Sequence, residues 1–297
     1  MDDRPTLVVV GAATRDIDPD DPRGWRLGGT VAYSSLVAAR LGVHVRALVG
    51  VDDIAATAIE LDVLREAGVE VELVRLGKAP VFDNQQTHSG RVQVVHSASE
   101  RIPVGARPAA WATPSAALLG PVAGELSDGW SAAFHPATFV AIAAQGLVRA
   151  LSVGKPVEIH AIRRDALLSR ADAIAISAED IVGGAPPVRE LLRPGQELLV
   201  THGARGALQV RFDGMRLSGR YVPPLPPREV VDTTGAGDTF LAAWLATRLL
   251  IGAGNWRALA VAAAIASLSV ERQSIHDTPT LADLCGVLVR LRDRHVG

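Results

Sequence analysis

Five short runs constrain this chain more than any other feature. TLVVVGAA (6–13), VHVRALVG (43–50), VEVELVRL (69–76), DAIAIS (172–177) and ELLVTHG (197–203) are rich in Val, Ile and Leu, and most are nearly continuously apolar. A strand with one wet face alternates apolar and polar residues; a strand covered on both faces does not. Between the runs lie segments of helical length, such as GTVAYSSLVAARLG (29–42) and DIAATAIELDVLREAG (53–68), with apolar residues at three-to-four spacing. After Gly235 the pattern is helical, over 237–251, about 255–270 and 280–294. This alternation predicts an α/β fold: a central, mainly parallel sheet sandwiched between helices in three layers. A chain of 297 residues is compatible with one such domain spanning 1–297.

Two stretches break the rhythm. TRDIDPDDPRGWRL (14–27) and PVFDNQQTHSGRVQVVHSA (80–98) read as turn-rich strands without an accompanying helix, HSG (88–90) forming a hairpin turn in the second. Together they predict a small antiparallel β lid over one end of the main sheet. Asn84, Gln86, His88 and Arg91 read there as solvated strand residues.

Composition narrows the partners. A net charge of −2 offers no basic footprint for nucleic acid and no polybasic membrane anchor. The longest apolar run, ALAVAAAIASLSV (258–270), is too short to span a bilayer and reads as a buried helix. MDDRPTLVVV opens with acidic residues, the reverse of a signal peptide, and the single Cys285 forms no disulfide within the chain; both lead to the expectation of a cytoplasmic protein. The eight histidines show no HxxH or HExxH pair, so no histidine metal site is expected.

The densest chemistry lies in VDTTGAGDTF (231–240). Gly235 and Gly237 let successive N–H groups approach a ligand closely, and a helix starting there adds its positive end. Such a place suits a phosphate or a transferring phosphoryl group, with Asp238 a carboxylate in the first turn. An ordinary helix start accounts for GAGD alone, but not for Asp232, Thr233 and Thr234 as well. The string is not GxxxxGK[ST], and the only lysines, Lys78 and Lys155, lie elsewhere.

DTTGAGDTF resembles the C-terminal signature of the ribokinase-like carbohydrate kinases, the PfkB family. Gly28–Gly29 followed by a helix ending ARLG (39–42), VGVDD (49–53), TRDID (14–18) and VTHGARGAL (200–208) are similar to further family segments in the same order. The resemblance implies ATP-dependent phosphorylation of an alcohol. It implies that Gly235, Ala236 and Gly237 form the anion hole and that Asp238 is the base, expected to stay ionised as a weak base at a helix N-terminus. Asp16, Gly28, Gly29, Tyr33 and Asp52 or Asp53 would hold the acceptor. Thr201, Gly203, Gly206 and Thr234 would meet the nucleotide, and Asp232 with Thr234 a K+ ion.

This chain departs from the family in two places. Where the family carries Asn-x-x-Glu, the chain has SAED, with Ser177 and Asp180 at those positions, so Asp180 or Glu179 is expected to help order Mg2+. Tyr33 stands where many members carry Asn. Glu125, Gln145 and Arg149 follow apolar strands and either reach the site or cap structure. The expected acceptor is a neutral sugar or polyol, a cyclitol such as inositol included. Aromatic residues at 4%, with only Trp25, Tyr33 and Phe82 near the acceptor side, speak against the alternative of a nucleoside or vitamin-alcohol kinase. The intact glycines and Asp238 speak against a non-catalytic sugar- or nucleotide-binding regulator. The chain is expected to act as a monomer or as a homodimer paired through its lids.

Overall fold

A computed structural model describes residues 4–87, 90–182, 188–252 and 256–293. The first strand, β1 (Thr6–Ala12), is followed by two lid strands, β2 (Thr14–Ile17) and β3 (Trp25–Gly28), and then by helix α1 (Thr30–Arg40). Next come β4 (His44–Val51), α2 (Ile59–Glu66), β5 (Glu70–Arg75) and the second lid hairpin, β6 (Val81–Thr87) and β7 (Gly90–Ser97). The chain re-enters the main sheet with β8 (Ala116–Leu119) and β9 (Phe139–Ala143), makes the short pair β10 (Arg149–Ala150) and β11 (Glu158–Ile159), and continues through α3 (Ala166–Arg170) and β12 (Ala173–Ser177). It then runs through α4 (Val188–Leu191), β13 (Glu197–Thr201), β14 (Ala207–Phe212), β15 (Leu217–Val222), α5 (Ala236–Ile251), α6 (Arg257–Ser269) and α7 (Leu281–Asp293).

The main sheet has nine strands in the order β15-β14-β13-β12-β9-β8-β1-β4-β5, parallel from β13 to β5, with β14 and β15 antiparallel at one edge. Successive residues of β1 serve opposite faces. Leu7 and Val9 pack with Val31 and Leu36 of α1 and with Phe240 and Trp244 of α5, whereas Val8 and Val10 pack with Trp111, Trp130 and Phe134 on the other side. That two-sided burial is why these strands read as continuous apolar runs.

The chain leaves β1 toward β4 and β5 on one side, and toward β8 and β9 on the other. The strand order therefore reverses between β1 and β8, and a crevice opens beyond the carboxyl ends of those two strands. Glu125 closes its floor. It is fully buried and accepts hydrogen bonds from the N–H groups of Ala12, Val122 and Ala123. Of the two roles open to Glu125 in sequence, the structure assigns the structural one.

The lid is a four-stranded sheet in the order β3-β2-β6-β7, with β2 and β6 parallel and both hairpins antiparallel. The residues at 14–27 and 80–98 thus form the expected lid, corrected from an antiparallel sheet to a mixed one because β2 and β6 pair in parallel where the two hairpins meet; the turn residues His88 and Ser89 lie outside the described residues. Two ion pairs seat the lid on the core. Arg15 Nη2 meets Asp52 Oδ2 at 2.8 Å, and Arg23 forms a fork with Glu60, at 2.8 Å to Oε2 and 2.6 Å to Oε1. Glu60 is buried on α2 and also accepts from the Leu27 N–H of β3. Burial raises the Glu60 carboxyl, but Arg23 and the backbone N–H groups outweigh it and hold the group below its usual value. The outer edge of β7 is covered by the chain's own residues 154–157: Val95 N donates to Lys155 O, and Val157 N donates to Gln93 O.

Arg23→Ala leaves the Glu60 carboxylate buried without its cation, which should cost about 2–4 kcal/mol in urea unfolding. Replacing both partners by Met should recover most of the loss; a single variant as stable as the parent would refute this account of the lid's seat.

Candidate active site

The crevice is completed by the start of α5. Gly235 is the residue before the helix and has φ 73°, a left-handed conformation that disfavours a side chain. Space imposes the same choice: a Cβ on Gly235 would lie 2.5 Å from ring carbons of Tyr33. Thr239 N donates to Gly235 O at 2.8 Å and closes the first turn. The first-turn N–H groups, those of Gly237 and Asp238 among them, have no acceptor within a helix and carry its positive end. Beside Gly237, where a side chain would project, there is open space.

Asp238 sits in that turn with a partial opening to solvent. Burial pushes its carboxyl up to about 6, against the Thr30 hydroxyl and the charge of Arg149, which favour ionisation. This corrects the expected weak base. Desolvation at the bottom of the crevice outweighs the helix terminus, and Asp238 becomes a stronger base that is still mostly ionised at neutral pH. Thr30 owes its place to Gly120 at the end of β8, where a Cβ would lie 2.5 Å from Thr30 Cγ2. Neither Thr30 nor Gly120 is among the site residues expected from the sequence.

On the acceptor side, the Asp16 carboxylate lies over Gly28, its Oδ2 2.6 Å from where a Cβ would be; a Cβ on Gly29 would lie 2.8 Å from Ala12 O. Tyr33 is buried on α1, and its phenol is pushed well above the ordinary tyrosine value by burial and by the carboxylates of Asp16, Asp232 and Asp238. Its ring therefore stands among all three. Thr14 Oγ1 and Arg15 Nε are buried and have no hydrogen-bond partner within the protein, while the Thr30 hydroxyl stands against the Asp238 carboxylate.

Asp52 and Asp53 do not join them. Asp52 gives Oδ2 to Arg15 and Oδ1 to the Ala55 N–H, so it seats the lid. Asp53 is fully exposed and faces Arg75. Asn84, expected to be solvated, is half-buried and accepts from Gln93 Nε2 at 2.9 Å. Nothing is described of the Gln86 and Arg91 side chains.

Three of the residues expected to meet the nucleotide lie at the end of β13 and in the turn beyond it. Thr201 ends that strand, and Gly203 and Gly206 form the turn into β14. Gly206 has φ 90°, and a Cβ there would lie 2.1 Å from Val222 O. Past Val222, a groove of about 390 Å³ is lined by Tyr221, Pro223, Leu225, Trp256 and Leu259, with Arg220 at its rim. Thr234 N donates to Asp232 Oδ1 at 2.8 Å.

The expected metal residues are corrected. Asp180 is buried, and its Oδ1 accepts from both Nε and Nη2 of Arg149, at 3.1 and 2.8 Å. Glu179 is exposed. No trio of His, Cys, Asp and Glu suited to a metal ion occurs among the described residues. Asp180 and Glu179 therefore do not form a ready divalent site, because an arginine already neutralises the one buried carboxylate.

The Asp238 shift has a consequence for stability. Its folded-state value lies above the unfolded value near 3.8, so the folded chain holds the proton longer. Stability from this residue is then present below pH 4 and lost as pH rises through 6. Asp238→Asn should raise the stability of the fold by about 1–2 kcal/mol at pH 7.5 and leave it nearly unchanged at pH 4. Thermal melts of both proteins at the two pH values test this, and equal melting differences would refute it. Gly235→Ala should destabilise at every pH, by about 2–4 kcal/mol, through the Tyr33 clash and the left-handed backbone; a melt unchanged from the parent would overturn that reading.

Comparison with known proteins agrees with this geometry. Residues 173–281 match the model of the pfkB family carbohydrate kinases. The chain is 31% identical over 251 residues to the "Bifunctional protein HldE" of Shewanella sp. (strain MR-4), an alignment covering 82% of this chain and 52% of that protein. The chain thus spans about half the length of the curated relatives it matches. Among solved structures it is similar to a pyrophosphate-dependent kinase in the ribokinase family complexed with a pyrophosphate analog and myo-inositol (TM-score 0.74, 21% identity, 94% of this chain and 99% of that one). It is also similar to the Arabidopsis thaliana ribokinase complexed with ribose and ATP (TM-score 0.68, 19% identity, 96% and 99% covered). Among the described residues no helix is long and apolar enough to cross a membrane. Residues 173–281 thus carry a segment similar to the pfkB family carbohydrate kinases, on a chain whose fold is that of ribokinase-family structures.

Proposed function

We propose that the protein is a kinase transferring the γ-phosphoryl group of ATP to a hydroxyl of a neutral sugar or polyol, a cyclitol such as inositol included. One observation carries the reading. A carboxylate poised near 6 stands in the first turn of α5, beside open backbone at Gly237 and in the company of Thr30, Tyr33 and Arg149. The acceptor hydroxyl lies against Asp238, and its oxygen attacks the γ-phosphorus as the bond from that phosphorus to the β-bridging oxygen breaks. The hydroxyl proton goes to Asp238, and ADP leaves. Gly235, Ala236 and Gly237 meet the charge on the transferring group with backbone N–H groups.

The groove beyond Val222 suits the base and ribose of a nucleotide, and Gly206, in the turn that follows Thr201, packs against Val222 and Pro223 at its near end. This favours ATP over bare pyrophosphate, the donor named for one structural neighbour. The Mg2+ such a donor carries would enter with its phosphates, since Asp180 and Glu179 offer no built site. A K+ ion would be met by Asp232, whose Oδ2 makes no hydrogen bond among the described residues.

The acceptor is neutral on this reading. Asp16 and Asp238 would repel an acid, and the arginines nearest them are already paired, Arg15 with Asp52 and Arg26 with Asp18. A nucleoside or vitamin alcohol would need an aromatic face to stack on. Tyr33 lies against Gly235, Trp25 lies between Arg15 and Arg23, and Phe82 is buried. A lid-mediated homodimer would use the lid's outer face, because residues 154–157 occupy the β7 edge.

The test is a coupled ADP-release assay over cyclitols, neutral sugars, nucleosides, sugar acids and sugar phosphates, with ATP and pyrophosphate compared as donors. A neutral polyol with ATP should give the highest kcat/KM, with an acid limb near pH 6. Asp238→Asn should lower turnover by roughly 10²-fold or more. A best substrate that is an acid or phosphate ester, or a variant within a few-fold of the parent, would overturn the reading.

A further inference from the structure

Arg149 joins three elements at the edge of the crevice. It follows the turn after β9, and its Nε and Nη2 hold Asp180 in the 3₁₀ turn after β12. Its Nη1 donates to Gln93 Oε1 on the lid strand β7 at 2.9 Å. Gln145, with its amide oxygen turned toward the guanidinium, accepts from Nη2 at 2.9 Å and from Nη1. A guanidinium has five N–H donors, and these contacts engage all five. Arg149 therefore has no donor left for a phosphate or a substrate hydroxyl in this arrangement. It does not act as a ligand.

Its partners show what it does. Gln93 passes the contact on to Asn84 of β6 through Nε2. The backbone does the same: residues 154–157, a few residues beyond Arg149, pair with β7 at Gln93 and Val95. Side chain and main chain thus fasten the same lid strand to the same segment of the core. Both lysines of the chain, Lys78 and Lys155, are exposed. Arg149 is instead half-buried, and its charge reaches Asp238.

Given the kinase reading above, on which it rests, we propose that Arg149 is a positioning residue that ties the lid to the catalytic carboxylate. Through Gln93 it holds β6 and β7 over the acceptor, and through Asp180 it is fixed where its charge bears on Asp238. The groups facing Asp238 are Thr30 and the Tyr33 phenol of α1 and Arg149; Asp16, Asp232 and Arg26 lie around Tyr33. Arg149 is the cation among them that acts on Asp238 directly. Removing its charge leaves desolvation less opposed.

Two measurements on the full chain test the tie. Hydrogen–deuterium exchange over residues 92–97 needs no substrate. It should quicken at least tenfold in Gln93→Ala and in Arg149→Met, with β1 and β4 unchanged. With the fastest neutral acceptor of the panel, Gln93→Ala should raise the acceptor KM about tenfold, keeping kcat and the acid limb near the parent's. Arg149→Met should also move the acid limb to higher pH, and Arg149→Lys should restore the limb but not the lid's protection. Where Arg149→Met fails to fold because Asp180 is left unpaired, Arg149→Met/Asp180→Asn takes its place. Parental exchange in both lid variants, or an acid limb unmoved by loss of Arg149, overturns the proposal. If nothing in the panel is phosphorylated, the kinase reading falls while exchange still decides the tie.

Discussion

The reaction centre depends on one close contact, the face of Tyr33 against the backbone of Gly235. It fixes how near α1 and α5 approach, and so where the first turn of α5 meets the crevice between β1 and β8. Ser34 Oγ, one residue on, donates to Asp238 O at 3.3 Å and ties the two helices at the same level. A larger residue at 235 would push α5 away and take with it the N–H groups and the carboxylate. The geometry that suits phosphoryl transfer is thus set by helix packing rather than by a flexible loop, which makes it preorganised.

That packing works against the stability of the charged site. Seating α5 against α1 takes the Asp238 carboxylate out of water, and the helix N-terminus, the Thr30 hydroxyl and Arg149 compensate only in part. The chain retains a carboxylate that destabilises its own fold at neutral pH. The proposed function gives the choice a reason: a group with a value near 6 accepts a proton far more readily than one near 4 while remaining mostly ionised at pH 7. Sites of this kind are commonly less stable than their neutral replacements.

Much of this was legible in the sequence, for identifiable reasons. The central strands announced themselves because both faces are buried, as at Leu7 to Val10. The lid announced itself because 80–98 alternates and carries no helix. Asp238, Gly235 and Gly237 stood out in the sequence because small residues and one carboxylate at a helix start form a local pattern, and the structure places all three at the start of α5. What was not legible is what the fold brings together from afar. Asp52 reads as an acceptor ligand until Arg15 is seen to hold it. Asp180 reads as a metal ligand until Arg149, 31 residues earlier, proves to be its partner. Thr30 and Gly120 have no local signature because they form a contact only across α1 and β8. The Asp238 value was misjudged for a related reason: the helix terminus is visible in sequence, whereas desolvation comes from tertiary packing.

The same distinction explains how the lid can be both selective and firmly seated. Its contacts with the core use complete charge pairs: Arg15 with Asp52, Arg23 with Glu60, Arg149 with Asp180. Each pair satisfies itself and leaves little net charge facing the acceptor. Thr14 Oγ1 and the Nε of Arg15 are among the buried polar atoms without a partner in the protein, and the carboxylates of Asp16 and Asp238 lie around the Tyr33 ring nearby. On the kinase reading proposed above, such a crevice would offer carboxylates to vicinal hydroxyls, while Arg15, Arg26 and Arg149 are each engaged with a carboxylate of the chain. An acid or phosphate ester would then be disfavoured for the same reason that the lid is firmly seated, because the arginines that could pair with an anion already hold carboxylates of the chain.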